Sequence, residues 1–490
     1  MIKDPLRRTK IVITLGPALD QPEDLKRAIL AGADVFRANF SHGSVEMHEK
    51  RITMVRELAD ECEKTVAILV DLQGPKIRIA RFKNKKIILE EEQAFVLDTE
   101  LGTDEGDEQT VGLDYKELPK DVRPGDTLLL DDGRIVMEVQ KIELTRIHCR
   151  VTVGGELSNN KGVNRLGGGL SAEALTEKDR NDIKDAVRLN ADYVAISFPR
   201  SADDVKEAKV LLKAAGGHAG VIAKIERAEA VTNIEEIIRT ADAVMVARGD
   251  LGVEIGDAEL PAVQKRIIHL SKKLHKPVIT ATQMLESMTY NSIPTRAEVS
   301  DVANAVLDGT DAVMLSGETA VGKYPDKAIA AMHRICMSAE KNLQSRPLKP
   351  TADPQFKFVD EAIAMATIYT ANHLNIRAII ALTESGTTPL WMSCVKSSIP
   401  IYGLSRHITT RRRMALFRGV YPIAFDATHI DRRVLNQTAV KELCVRGILA
   451  DNDLVLITKG DLIGVHGKTN AMKIFTVGDD FSPDDNPALD

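Results

Sequence analysis

The chain has 490 residues, 44% of them hydrophobic and 28% charged, with a formal net charge of -6. That balance suits a globular protein of several domains and excludes a disordered chain. The weak negative charge and 4% aromatic content offer no basic, ring-bearing surface for nucleic acid, and no apolar run reaches membrane-spanning length.

Cys62, Cys149, Cys336, Cys394 and Cys444 are scattered without a C-x-x-C pair, so neither a disulfide framework nor a zinc site is expected. The opening Met1-Ile2-Lys3-Asp4-Pro5-Leu6-Arg7-Arg8 lacks the apolar core of a signal peptide, and a cytoplasmic location is expected.

From Lys10 onward, short β-branched runs alternate with amphipathic stretches. Strands are predicted over 10–14, 35–39, 66–72, 193–197, 221–225, 243–247, 278–282 and 312–316. Helices are predicted over 22–31, 45–61, 202–215, 262–273 and 296–308. Eight such βα units predict an α/β fold, a (β/α)8 TIM barrel.

The rhythm breaks after the third strand. Short strands over 86–89, 94–97, 127–130, 135–138 and 147–152 are divided by turn formers such as Pro124-Gly125-Asp126 and Asp131-Asp132-Gly133. They predict an inserted small β-barrel lid domain over 76–171, so the barrel would occupy 1–75 and 172–345. After Ser345-Arg346-Pro347-Leu348-Lys349-Pro350 a second βα series begins, with a helix over 360–374 and strands over 378–382, 401–404, 454–458 and 472–477. It predicts a C-terminal α/β domain over 346–490, closing in an acidic tail beyond Gly478.

Active sites of such barrels form at the C-terminal ends of the strands. There the chain carries Arg37 to Gly43 after the second strand, Asp71 to Arg78 after the third and Lys224-Ile225-Glu226 on the fifth. The sixth strand ends in Arg248-Gly249-Asp250 and the seventh in Thr280-Ala281-Thr282-Gln283. Arginines and a lysine facing the same mouth as Glu226 and Asp250 are the equipment of phosphoryl transfer, where charge on the moving oxygens is offset by cations and a metal. Two carboxylates with no His/Cys cluster favour Mg²⁺ or Mn²⁺ over zinc.

Other signals have blander readings. Gly467-Lys468-Thr469 is no P-loop, because position 462 is Leu. His42 is as readily a structural histidine as a ligand contact, and Arg411-Arg412-Arg413 reads as a solvated helix face.

The segments Ala38-Asn39-Phe40-Ser41-His42-Gly43, Gly220-Val221-Ile222-Ala223-Lys224-Ile225-Glu226, Val246-Ala247-Arg248-Gly249-Asp250-Leu251-Gly252 and Thr280-Ala281-Thr282-Gln283-Met284-Leu285-Glu286-Ser287-Met288 closely resemble the pyruvate kinase family, in family order. The resemblance implies transfer of a phosphoryl group from phosphoenolpyruvate to ADP, giving pyruvate and ATP. It implies Glu226 and Asp250 as metal ligands, Lys224 and Arg37 on the phosphoryl group, and Gly249, Asp250 and Thr282 as the cradle of the substrate carboxylate. Thr282 would assist protonation of the enolate. Asn39, His42 and Arg78 match nucleotide-side positions, while Ser201 stands where many members carry a phosphate-contacting lysine.

Further implications concern regulation and ions. Thr383-Glu384-Ser385-Gly386-Thr387-Thr388 resembles the family's effector loop, in a form closer to enzymes responding to AMP or sugar monophosphates than to fructose 1,6-bisphosphate; the plain alternative is a helix cap. Members that need K⁺ hold it among groups matching Asn39, Ser41, Asp71 and the carbonyl of Leu72, with a glutamate where this chain has Lys76. K⁺ is therefore expected not to be required here, the Lys76 ammonium standing in for it. A homotetramer is expected from the resemblance. Two rivals are a Mg²⁺-dependent pyruvate or oxaloacetate lyase or aldolase on the same barrel, and a catalytically silent sensor.

Overall fold

The computed structural model describes residues 6–343, 356–461 and 467–478. The opening Met1 to Pro5, the punctuation at 345–350, Leu462 and the tail beyond Gly478 lie outside them.

Eight parallel strands close into a barrel; six are buried along their whole length, as parallel strands covered on both faces are, and Val35–Asn39 and Gly220–Ile225 are broken only by the half-buried Arg37, Asn39 and Lys224. In chain order they are Lys10–Thr14, Val35–Asn39, Ala67–Asp71, Tyr193–Ile196, Gly220–Ile225, Ala243–Ala247, Val278–Ala281 and Ala312–Leu315. Side chains alternate in direction along each strand. Ile11, Ile13, Ile68 and Val70 pack outward into the helical layer, whereas Val12, Leu69, Ile222, Met245 and Ile279 fill the interior. The mouth is therefore lined by the residues that end each strand.

The inserted domain is a sheet curled on itself, of six strands ordered Val163–Arg165, Thr127–Leu130, Ile135–Glu143, Arg146–Val153, Ala94–Asp98 and Thr110–Gly112. A ladder of Lys86–Leu89 with Gly155–Ser158 flanks it, and Phe95, Leu97, Met137, Val139 and Ile147 form its separate core. The C-terminal domain is a five-stranded sheet ordered Val420–Ala424, Ile401–Ser405, Ile376–Leu382, Leu454–Gly460 and Thr469–Thr476, the last pair antiparallel.

This domain sits under the N-terminal end of the barrel. The Tyr193 hydroxyl donates to the Arg413 carbonyl at 2.7 Å, and the Lys10 ammonium to the Val420 carbonyl at 2.7 Å. Arg411, Arg412 and Arg413 are consequently half-buried rather than a solvated face, and Arg411 donates to the carbonyls of Ser405 and Arg406. No helix among the described residues is long and apolar enough to cross a membrane.

Candidate active site

Lys224 is the second-last residue of the fifth strand, so its side chain rises into the mouth. Its ammonium lies 2.9 Å from a Glu226 oxygen and 3.3 Å from an Asp71 oxygen, and donates to the Ser197 hydroxyl at 2.8 Å. Ser197 in turn donates to the Leu72 carbonyl at 2.7 Å. Arg37 comes across from the second strand and donates to the other Asp71 oxygen at 2.6 Å and to the Thr14 hydroxyl at 3.0 Å. Five strands thus converge on two cations and two buried carboxylates.

The electrostatics follow from burial and proximity. Burial would push the Lys224 ammonium down, but Asp71 and Glu226 outweigh it and hold its pKa above the ordinary lysine value. Burial raises Asp71 too, yet Lys224 and Arg37 bring it below the usual carboxylate range. Glu226 is pushed up to about 7, first by burial against the pull of Lys224, then by the charge of Asp250. Burial likewise raises Asp250, opposed by Lys224 and helped by Asp132 of the lid. Two carboxylates that each resist ionisation beside one another form a donor set that a hard divalent cation would relieve. Among the described residues no cluster of three or more His, Cys, Asp or Glu is gathered around a common point, so a cation held here would keep places for substrate and water.

Asp250 lies in the helix Arg248–Ile255, which begins where the sixth strand stops. The Gly249 amide donates to the Thr282 hydroxyl at 2.9 Å, and that hydroxyl donates to the Ala281 carbonyl at 2.6 Å. Arg248 does not face the mouth. Its guanidinium is buried against the backbone of the seventh strand's end.

The loop after the second strand is tied down independently. Asn39 accepts from the Ser41 amide at 3.1 Å, Phe40 donates its amide to the Asp71 carbonyl, and the His48 ring nitrogen pairs with the His42 carbonyl at 2.8 Å. His42 itself is largely exposed, and partial loss of hydration followed by the charges of Lys76, Arg78 and Arg37 lowers its pKa. Arg78 stands at the entry to the lid, its amide bonded to Asp114 at 2.7 Å. Lys76 is half-buried, and burial followed by Arg78, Lys178 and Lys224 brings it down to about 8. Ser201 caps the helix Ala202–Ala214 in a reciprocal box with Asp204, so its hydroxyl is already used.

Thr383, Glu384, Ser385, Thr387 and Thr388 line a separate cavity in the C-terminal domain, together with Arg406, Lys459 and Lys468. Gly386 takes φ +83° before the helix Thr387–Ser393, and its amide donates to the Thr383 hydroxyl at 2.9 Å. The carboxylate of Glu384 is held by Arg406 at 3.2 Å and His407 at 2.6 Å.

Residues 6–329 match the family described as pyruvate kinase, barrel domain, and residues 361–475 match pyruvate kinase, alpha/beta domain. The chain belongs to the pyruvate kinase family. It is 54% identical over 476 residues to pyruvate kinase II of Salmonella typhimurium, across 96% of this chain and 99% of that protein. To the pyruvate kinase of Haemophilus influenzae it is 52% identical, across 93% and 96% of the two chains. Its fold superposes on a pyruvate kinase crystal structure from Cryptosporidium parvum with a TM-score of 0.88 at 35% identity, covering 96% of each chain. The enzyme reading of the sequence therefore holds, and the lyase or aldolase alternative has no support in these similarities.

Thr14 and Ser197 were missed as site residues by sequence reasoning. Each is the lone hydroxyl closing an apolar strand run, Ile11-Val12-Ile13-Thr14 and Val194-Ala195-Ile196-Ser197, and that position was the available signal. Asp132, whose charge reaches Asp250 from the lid, carried no signal beyond a turn.

Proposed function

We infer that this chain moves the phosphoryl group of phosphoenolpyruvate to ADP at the barrel mouth, with Lys224 and Arg37 as its cationic centre. The observation that carries this reading is the Lys224 ammonium, set between Asp71 and Glu226 and pinned by Ser197. Its raised pKa keeps it charged through neutral pH, so it acts by charge and not as a base. A fixed cation in a water-poor mouth favours the charge that develops on the transferring oxygens and on the departing enolate. ADP attacks phosphorus in line, the bond from phosphorus to the enol oxygen breaks, and the enolate then takes a proton at its methylene carbon. The Thr282 hydroxyl, beside the Gly249 amide, suits both the substrate carboxylate and the delivery of that proton. Glu226 and Asp250 would hold Mg²⁺ or Mn²⁺, which supplies charge neutralisation when bound.

The remaining assignments belong to the same reading. Asn39, His42 and Arg78 flank the nucleotide side, and the lid over 76–171 closes above it. Lys76 replaces the K⁺ that Asn39, Ser41, Asp71 and the carbonyl of Leu72 would otherwise hold. The cavity at Thr383 to Thr388 takes a phosphorylated effector, AMP or a sugar monophosphate. Four copies assemble in the cytoplasm.

Lys224→Met tests the centre of the proposal. Turnover should fall by about 100- to 1000-fold while the circular dichroism spectrum stays that of the wild type, with a lower melting temperature because Asp71 and Glu226 lose a buried counter-charge. Retention of most of the turnover would remove Lys224 from the chemistry.

A further inference from the structure

Thr282 and Gln283 follow directly on the seventh strand, at φ +66° and +54°. Two consecutive non-glycine residues in the left-handed region, one of them β-branched, persist only where their surroundings hold them there.

The surroundings are one side chain above all. The Arg248 guanidinium, 7% exposed, donates Nε to the carbonyls of Ala281 at 3.3 Å and Thr282 at 3.2 Å. Its Nη2 donates to Thr282 at 2.7 Å and Gln283 at 3.3 Å, while Nη1 pairs with Asp301 at 2.8 Å. A planar fork of five fixed donors serves three successive carbonyls and the Asp301 carboxylate at once, more than the three donors of an ammonium supply. Downstream, the buried Glu318 carboxylate accepts the amides of Leu285 at 3.1 Å and Ser316 at 2.7 Å, so the far end of the turn is fixed as well.

We propose that Arg248 is a positioning residue for the reaction, holding Thr282 in its left-handed conformation so that the hydroxyl meets the Gly249 amide in the barrel mouth. This rests on the role given to Thr282 above. The guanidinium never reaches substrate; it acts through the backbone of its neighbour strand, with Asp301 fixing its orientation. If the fork is lost, 282 and 283 relax toward ordinary dihedrals and the hydroxyl turns away from Gly249.

The test uses the full-length enzyme. Arg248→Lys keeps the positive charge beside Asp301 but removes the fork. Turnover is measured together with exchange of pyruvate methyl protons into deuterated solvent, the reverse of enolate protonation, followed by proton NMR. Both should slow by about 10- to 100-fold, with the KM for ADP within about twofold of wild type. In a Thr282→Ala background the same substitution should add less than about threefold, because it works through the missing hydroxyl. Gln283→Gly should recover most of the loss from Arg248→Lys, since glycine takes positive φ freely. Should Arg248→Lys yield too little folded protein, Asp301→Asn loosens the same guanidinium and should give the same pattern at smaller size. Full multiplication of the two losses, or no recovery with Gln283→Gly, overturns the proposal. Wild-type methyl exchange in Thr282→Ala alone would instead overturn the role of Thr282.

Discussion

Lys76 places an ammonium near three other cations, Arg78, Lys178 and Lys224, and that company together with burial brings its pKa from 10.5 to about 8. Among the described residues it has no ion-pair partner. In the proposed reading its positive charge takes the place of a bound K⁺. The sign is clear: below about 8 the side chain is charged and the substitute is present, and above it the charge is lost. In K⁺-free buffer with a large organic counterion, turnover should be high at pH 7 and decline as pH rises through about 8, and K⁺ added at high pH should restore it. The stability change runs the other way. The unfolded chain holds this proton up to the ordinary lysine value, so this group favours folding as pH rises from about 8 toward 10.5, and a loss of turnover caused by Lys76 should come without a fall in melting temperature. Lys76→Glu should create a K⁺ requirement at every pH; strong K⁺ activation of the wild type at pH 7 would refute the substitution. At this scale the sequence shows which residues lie at or near the C-terminal ends of the strands, and on that ground Arg37, Lys224, Glu226 and Thr282 are the residues proposed. It was uninformative about direction. Arg248 ends a strand too, but its side chain leaves the mouth for the carbonyls of the next strand, and no local pattern encodes that turn.

The lid returns to the barrel through Gly167, Gly168 and Gly169, all at positive φ. A side chain at Gly168 would meet the Glu229 carboxylate at 2.6 Å, so the segment lies tight against the loop that follows Glu226. Arg227 donates to the carbonyls of Leu170 at 3.1 Å and Ala172 at 3.4 Å, Glu229 accepts the Gly169 amide, and the Glu254 carbonyl accepts that of Gly167. This connection is therefore anchored on Arg227, next to Glu226, and on Glu254, one helical turn beyond Asp250. Arg227→Met should free it. Solution scattering should then show a wider spread of lid orientations, the KM for ADP should rise by about tenfold, and phosphoenolpyruvate should be hydrolysed to pyruvate without ATP because water reaches the mouth. Unchanged scattering and tight coupling of pyruvate to ATP would show that the anchor lies elsewhere. Long apolar runs made the barrel strands legible to within a residue at each end. The strands that escaped prediction had weaker signals: Thr110–Gly112, Gly155–Ser158 and Val163–Arg165 are too short for alternation to register, and Val420–Ala424 contains Pro422. That proline is tolerated because the strand lies at the edge of its sheet. The helix Arg248–Ile255 was hidden by its two glycines.

Across the whole molecule, the candidate effector cavity and the barrel meet through one short helix, Ile408–Met414. Its Thr410 hydroxyl donates to the Glu384 carbonyl at 2.7 Å, and its Arg413 carbonyl accepts from the Tyr193 hydroxyl at 2.7 Å. Tyr193 opens the fourth barrel strand, whose other end leads into Ser197, the partner of Lys224. The sequence could not reveal this route, because every link joins residues remote in the chain and no motif pairs one with the other. If effector binding shifts the loop at Glu384, the helix carries the shift to the base of the fourth strand, and the coupling free energy must pass through the Tyr193 hydrogen bond or around it. Tyr193→Phe removes that bond and leaves the ring packed, at a stability cost of about 1 kcal/mol. Titrations with AMP and with glucose 6-phosphate should then show a much smaller activation factor, with basal turnover unchanged because no group in the mouth has been altered. By reciprocity, phosphoenolpyruvate should also cease to tighten binding of whichever ligand activates the wild type. Undiminished activation in Tyr193→Phe would place the coupling in other contacts between the domains, such as Lys10 with the Val420 carbonyl or Arg8 with the Ser397 carbonyl.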